Sequence, residues 1–103
     1  MKKGNLYEKI PKKLYKELFN KIISEKGIKI ERIVSRKHIT PKGKWYNQNK
    51  NEFVLVLKGN AKLRFEKNKI INVKKGDYII IPAHLKHRVE KTDKETIWLV
   101  VFY

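Results

Sequence analysis

Three histidines (His38, His84 and His87), ten acidic residues and no cysteine frame the acid–base and metal-binding chemistry of this chain. Without a thiol there is no disulfide, no thiolate metal site and no cysteine nucleophile. His84 and His87 stand three apart. On a single strand that spacing points them to opposite faces, so both reach one pocket only if Ala83–Lys86 is a turn. His38, between Lys37 and Ile39, carries no motif and reads as a solvated residue. Other catalytic signatures are missing: there is no G-x-S-x-G elbow, no Gly-rich phosphate loop, no H-E-x-x-H and no dinucleotide fingerprint. Asp77, beside Gly76, reads as a turn residue. Trp45, Tyr46 and Trp98 read as core or as the wall of an apolar pocket.

The charge suggests polyanion binding, but its composition argues against that. The formal net charge is +16, from 26 basic and 10 acidic residues. Only four of the basic residues (Arg32, Arg36, Arg64 and Arg88) are arginine, the residue that reads phosphates and bases in bidentate fashion. Doublets such as Lys12-Lys13 and Lys74-Lys75 are the longest basic runs. The expectation is a solvated basic surface, with nucleic acid held only by non-specific, salt-sensitive attraction. No apolar run approaches the roughly 20 residues that span a bilayer. The start, MKKGNLYEKIPKK, lacks the apolar stretch of a secretory signal. With the missing cysteines, this implies a cytoplasmic protein without membrane contact.

The residues that could do chemistry need a scaffold, and the apolar pattern supplies one. In 11–26, PKKLYKELFNKIISEK, the residues Leu14, Leu18, Ile22 and Tyr15, Phe19, Ile23 recur at spacings of three and four. Pro11 fits a first helical position and Gly27 a stop, so the pattern predicts an amphipathic helix. From Ile28 the period becomes two. Strands are expected at 28–34, 53–57, 61–66, 70–73, 78–81, 87–91 and 97–103, with a short extended piece around Trp45-Tyr46. Turns are expected at Lys58-Gly59-Asn60, Lys67-Asn68-Lys69 and Lys75-Gly76-Asp77. Seven or so short strands separated by turn residues indicate an all-β sandwich or barrel, one domain over 1–103.

Two segments narrow this further. In EFVLVLKG, Glu52 precedes Gly59 by six intervening residues. In GDYIIIPAHLKH, Gly76, Pro82 and His87 keep the spacing G-x5-P-x4-H. The pair, in order and suitably separated, resembles the two motifs of the cupin superfamily over roughly residues 43 to 103. The resemblance implies a small single-domain cupin, a jelly-roll-like double-stranded β-helix.

It also implies a site. Metal-binding cupins use two histidines and a glutamate from the first motif and a histidine from the second. Carried over by position, the last two are Glu52 and His87, while the histidine pair falls on Tyr46 and Gln48. The glycine before the second histidine is replaced by His84, and the following asparagine by Lys91. Gly43 is not at the family's spacing. The expected ligand pocket is therefore Tyr46, Gln48, Glu52, His84 and His87. Gln48, Glu52 and His87 form an incomplete set for a divalent transition metal such as Fe, Mn, Ni or Zn. A glutamate and a histidine sharing a cavity could also exchange protons as general acid and base. The depleted ligand set favours binding of a small molecule with an optional metal. A metal-dependent isomerase, dioxygenase or lyase using Glu52, His87 and Gln48 is the alternative. Phe53–Leu57 and Ile97–Tyr103 are apolar on both faces. One face lines the barrel; the other needs a cover, from the N-terminal helix or from a second subunit in a homodimer.

Overall fold

The structure, a computed structural model, describes residues 1–103. It contains eight strands: β1 (Leu18–Glu25), β2 (Ile28–Ser35), β3 (Glu52–Lys58), β4 (Asn60–Phe65), β5 (Ile70–Lys74), β6 (Tyr78–Ile81), β7 (His87–Thr92) and β8 (Thr96–Phe102). All pairings are antiparallel. Five strands form one sheet in the order β1-β2-β8-β3-β6, and three form a second in the order β5-β4-β7. The alternating apolar residues of the two sheets face each other. Val54, Val56, Leu63, Phe65, Val73, Ile81, Trp98, Val100 and Phe102 make the buried core between them.

The expected helix over 11–26 does not form. Residues 18–25 are an edge strand, paired with β2 from Leu18↔Val34 to Glu25↔Ile28. Two local features decide this. Lys26 (φ 51°) and Gly27 (φ 78°) both take positive φ, so the glycine that resembles a helix stop belongs to a two-residue hairpin turn. Ile22 and Ile23 are β-branched, which favours a strand, and the register shifts between Lys21 and Ile23, leaving Ile22 in a bulge. That bulge breaks the period of two and imitates a spacing of three and four.

Residues before β1 cover part of the outer face of the larger sheet in irregular conformation. The guanidinium of Arg32, a buried residue, donates to the carbonyls of Leu6, Glu8 and Lys9 and to the side chain of Asn20. The Tyr7 hydroxyl donates to the Leu57 carbonyl. Beyond that strap the outer face stays apolar. Leu55 lies between Leu99 and Tyr78, and Phe53 between Val101 and Ile80. Phe53 and Tyr78 stack with ring centroids 5.6 Å apart, and Tyr78 and Ile80 are 63% and 55% exposed.

One turn depends on glycine. Gly59, between β3 and β4, has φ +76°, and a Cβ there would lie 2.3 Å from the Glu95 carbonyl oxygen. The motif glycine after Glu52 is thus required by a close backbone approach as well as by its dihedral.

Candidate functional site

Between the sheets lies a partly open cavity of about 300 Å³. Its walls are mainly apolar: Phe19 and Ile33 from the β1–β2 hairpin, Val54, Leu63, Ile81 and Val89, and Trp98, Val100 and Phe102 from β8. Tyr46, Gln48, Glu52 and His87 line it as well.

Strand register places the last two. Glu52 opens β3 opposite both Ile81 and Phe102, pointing inward with Val54 and Val56 on the strand's alternating face. His87 opens β7 opposite Phe65. Tyr46 and Gln48 come from the long connection between β2 and β3, which is pinned at several points. Tyr46 and His87 exchange backbone hydrogen bonds of 2.8 and 3.1 Å. The His84 N–H donates to the Gln48 carbonyl at 2.7 Å, and the Ala83 N–H to the Asn51 side chain at 3.0 Å. Arg88 braces the same connection, donating to the carbonyls of Thr40, Pro41 and Lys44, with its guanidinium over the Trp45 ring. In the sequence, a single arginine on a strand gives no signal of the loop it holds.

The rings of Tyr46, His87 and Phe65 form a stack, with centroids 5.6 and 5.9 Å apart along it. The imidazole's Nδ1 lies 2.9 Å from the Leu85 carbonyl, so Nδ1 carries a proton and Nε2 faces the Glu52 carboxylate at 3.5 Å. Both side chains are almost wholly buried. Burial works against an imidazolium, but the Glu52 carboxylate and the Leu85 carbonyl outweigh it and raise the His87 pKa above the ordinary histidine value. Burial, reinforced by the Glu17 charge, pushes the Tyr46 phenol up, so it stays protonated as a donor. The arrangement is a proton-holding Glu–His pair beside a phenol, set in an apolar wall.

His84 is exposed and does not line this cavity. It borders a shallow surface groove that also meets Gln48, which stands between the two. The chain does turn here, at Ala83-His84, where the Leu85 N–H donates to the Pro82 carbonyl at 3.2 Å and His84 takes φ 67°. The cavity also takes in three charged residues that carry no motif in the sequence: Glu17, Lys29 and Glu31. The Glu17 carboxylate accepts the Ser35 hydroxyl, and that oxygen accepts the Trp98 indole N–H. Assigned to the polar side of a helix, Glu17 gave no sign of reaching a cavity.

The profile of the family described as Cupin domain matches residues 37–102. The chain is a cupin. Solved structures agree with that placement. This cupin is similar to a candidate mannose-6-phosphate isomerase of Ralstonia eutropha JMP134, at 37% identity and a TM-score of 0.93, covering 99% of this chain and 97% of that one. An RmlC-like cupin protein of Desulfovibrio desulfuricans is 16% identical, with a TM-score of 0.77 and coverage of 99% and 96%. Iron(II) HppE is 15% identical, with a TM-score of 0.73, over 84% of this chain and 50% of that one. The last two likenesses show the fold alone. Among curated proteins nothing matches the chain.

The iron(II) of HppE raises the question of whether the donors here suit a metal. A divalent transition metal takes three or four protein ligands in fixed geometry. In this cupin no three His, Asp or Glu side chains are placed to share one ion. Glu52 and His87 supply two strong donors, with Tyr46 and Gln48 at the positions of the family's histidine pair. Two strong donors fall short of the three or four that such a metal takes. No helix is long and apolar enough to cross a membrane.

Proposed function

We propose that this cupin binds a small molecule in the barrel cavity, as a homodimer and in the cytoplasm, without relying on a metal. The observation that carries the reading is the Glu52–His87 pair, buried yet 3.5 Å apart at the wall of an otherwise apolar cavity of about 300 Å³. That separation is longer than a normal N–H···O bond, so both groups keep hydrogen-bonding capacity for a ligand. A concave apolar space with a few convergent polar groups is the usual form of a small-molecule site. The exposed Tyr78 and Ile80 beside Phe53, Leu55, Leu99 and Val101 support a subunit contact on the outer face.

The two tryptophans make the test direct. Trp98 lines the cavity, while Trp45 is exposed on the outside. In a fragment screen read by ¹⁵N–¹H NMR, ligands of the cavity shift the Trp98 indole signal and leave that of Trp45 in place. Hits that move only Trp45, or neither, count against the reading. Elemental analysis of untagged protein checks the alternative. Stoichiometric Fe, Mn, Ni or Zn, lost in His87→Ala, would favour a metal-dependent enzyme using Glu52, His87 and Gln48. For the dimer, light scattering expects twice the chain mass, reduced to one chain in Ile80→Glu; a parent protein already monomeric at about 0.1 mM refutes it.

A further inference from the structure

The charges lining the cavity run against those of the chain. Three carboxylates, Glu17, Glu31 and Glu52, face it, against one ammonium, Lys29, and one imidazole, His87. The chain as a whole carries +16. Two of the carboxylates are matched: Lys29 Nζ lies 3.5 Å from Glu31, and His87 Nε2 lies 3.5 Å from Glu52. Glu17 is held by the Ser35 hydroxyl and meets no cation. Glu17 and Glu52 line this cavity together with Tyr46.

The same space already holds an ammonium. Lys29 Nζ sits 4.5 Å from the centroid of the Phe102 ring, and Lys29, Phe102 and Glu52 form one cross-strand row. An aromatic face beside carboxylates attracts a cation both through its quadrupole and by direct charge. The Lys29 side chain is 41% exposed, so it stands at the cavity mouth and can leave for water.

We infer that the cavity takes a small organic cation, with an apolar body against Trp98 and an ammonium that replaces that of Lys29 over Phe102 among the carboxylates. This rests on the reading of the cavity as a ligand site. The basic exterior does not forbid it. At about 0.15 M ionic strength, exposed charges are screened beyond roughly 8 Å, whereas charges inside the cavity act at short range in a poorer dielectric.

The experiment compares benzylamine, benzyl alcohol, benzoate and mannose 6-phosphate at neutral pH and near-physiological salt, read on the Trp98 indole signal. Benzylamine is expected to bind about tenfold or more tightly than benzyl alcohol, and benzoate more weakly than either. Glu17→Gln should lose most of the preference for the amine over the alcohol. Lys29→Met should tighten benzylamine severalfold by removing the competing ammonium; this partly exposed position keeps the test open if Glu17→Gln does not fold. Benzoate or mannose 6-phosphate binding as tightly as benzylamine, and losing affinity in Lys29→Met, would make this an anion site and overturn the inference. Equal binding of amine and alcohol overturns it too, but leaves the small-molecule reading standing. If no probe moves the Trp98 signal, both fall.

Discussion

Replacing Glu52 with glutamine should reverse the titration of His87. At 3.5 Å the gross attraction between carboxylate and imidazolium is roughly 5 kcal/mol at an effective dielectric constant near 20. Taking two ions out of water removes several kcal/mol of that, so a net contribution of about 1–2 kcal/mol remains. The raised pKa of His87 gives the sign. A group whose folded pKa lies above its unfolded value stabilises fully below the unfolded pKa, and that stability is lost as pH rises through the folded pKa. The parent should therefore lose stability as pH climbs through the His87 midpoint. In Glu52→Gln the introduced amide donates to Nε2 of a neutral ring, and burial then opposes protonation without the carboxylate to offset it. The His87 midpoint falls below the parent's, and the loss of stability with rising pH disappears. NMR titration of the His87 ring, with urea unfolding at about pH 5.5 and 8.5, measures both quantities; the expected cost at the acid end is about 1–2 kcal/mol. An unchanged midpoint, or an unchanged pH slope of stability, would refute the account of the pair.

Three further predictions follow from the turns and the surface. His84→Gly removes a side chain held at φ 67° and should raise stability by up to about 1 kcal/mol, net of the glycine's unfolded-state entropy; the Trp98 indole signal should not move. Gly59→Ala must accommodate a Cβ 2.3 Å from the Glu95 carbonyl at φ +76°, so urea unfolding should show a loss of roughly 2–4 kcal/mol, and a loss under about 1 kcal/mol would contradict the close approach. Lys58 and Arg36 hold the Glu95 pKa below the ordinary carboxylate value. Its stabilisation is thus present above the unfolded pKa and lost as pH falls through the lower folded one. Glu95→Gln should flatten the acid side of the stability curve, seen as a smaller drop in Tm between about pH 6 and pH 3.

The β-rich part of the fold was legible because short apolar or alternating runs recur from Ile28 onward and the turns between them are marked by glycine, lysine and asparagine. Glu52 and His87 were legible because their spacing to Gly59, Gly76 and Pro82 is set by strands and turns of fixed length. The first strand was not. Its bulge at Ile22 replaces alternation with a spacing of three and four, and Gly27 terminates a hairpin strand as readily as a helix. The error hid Glu17, Lys29 and Glu31, since the side of the cavity to which they belong exists only when β1 and β2 fold over it. His84 illustrates a different limit. The motif's glycine is gone, but the backbone keeps the left-handed conformation that glycine would have supplied, so the turn survives while its side chain stays outside the cavity.

The central place of β8 has a kinetic consequence. It pairs with β2 on one side and β3 on the other, and more than sixty residues of chain separate it from its partners on β2. Loops of that length must close before the larger sheet gains its middle strand, which places folding in the slow, millisecond-to-second class of β-barrels. During that interval the β1–β2 hairpin, with Phe19, Ile22 and Ile23 uncovered and an open edge on each side, has no sheet to join. Association between such hairpins is the foreseeable failure during refolding at high protein concentration. The yield of soluble protein should then depend on dilution and temperature more than on the stability of the finished barrel.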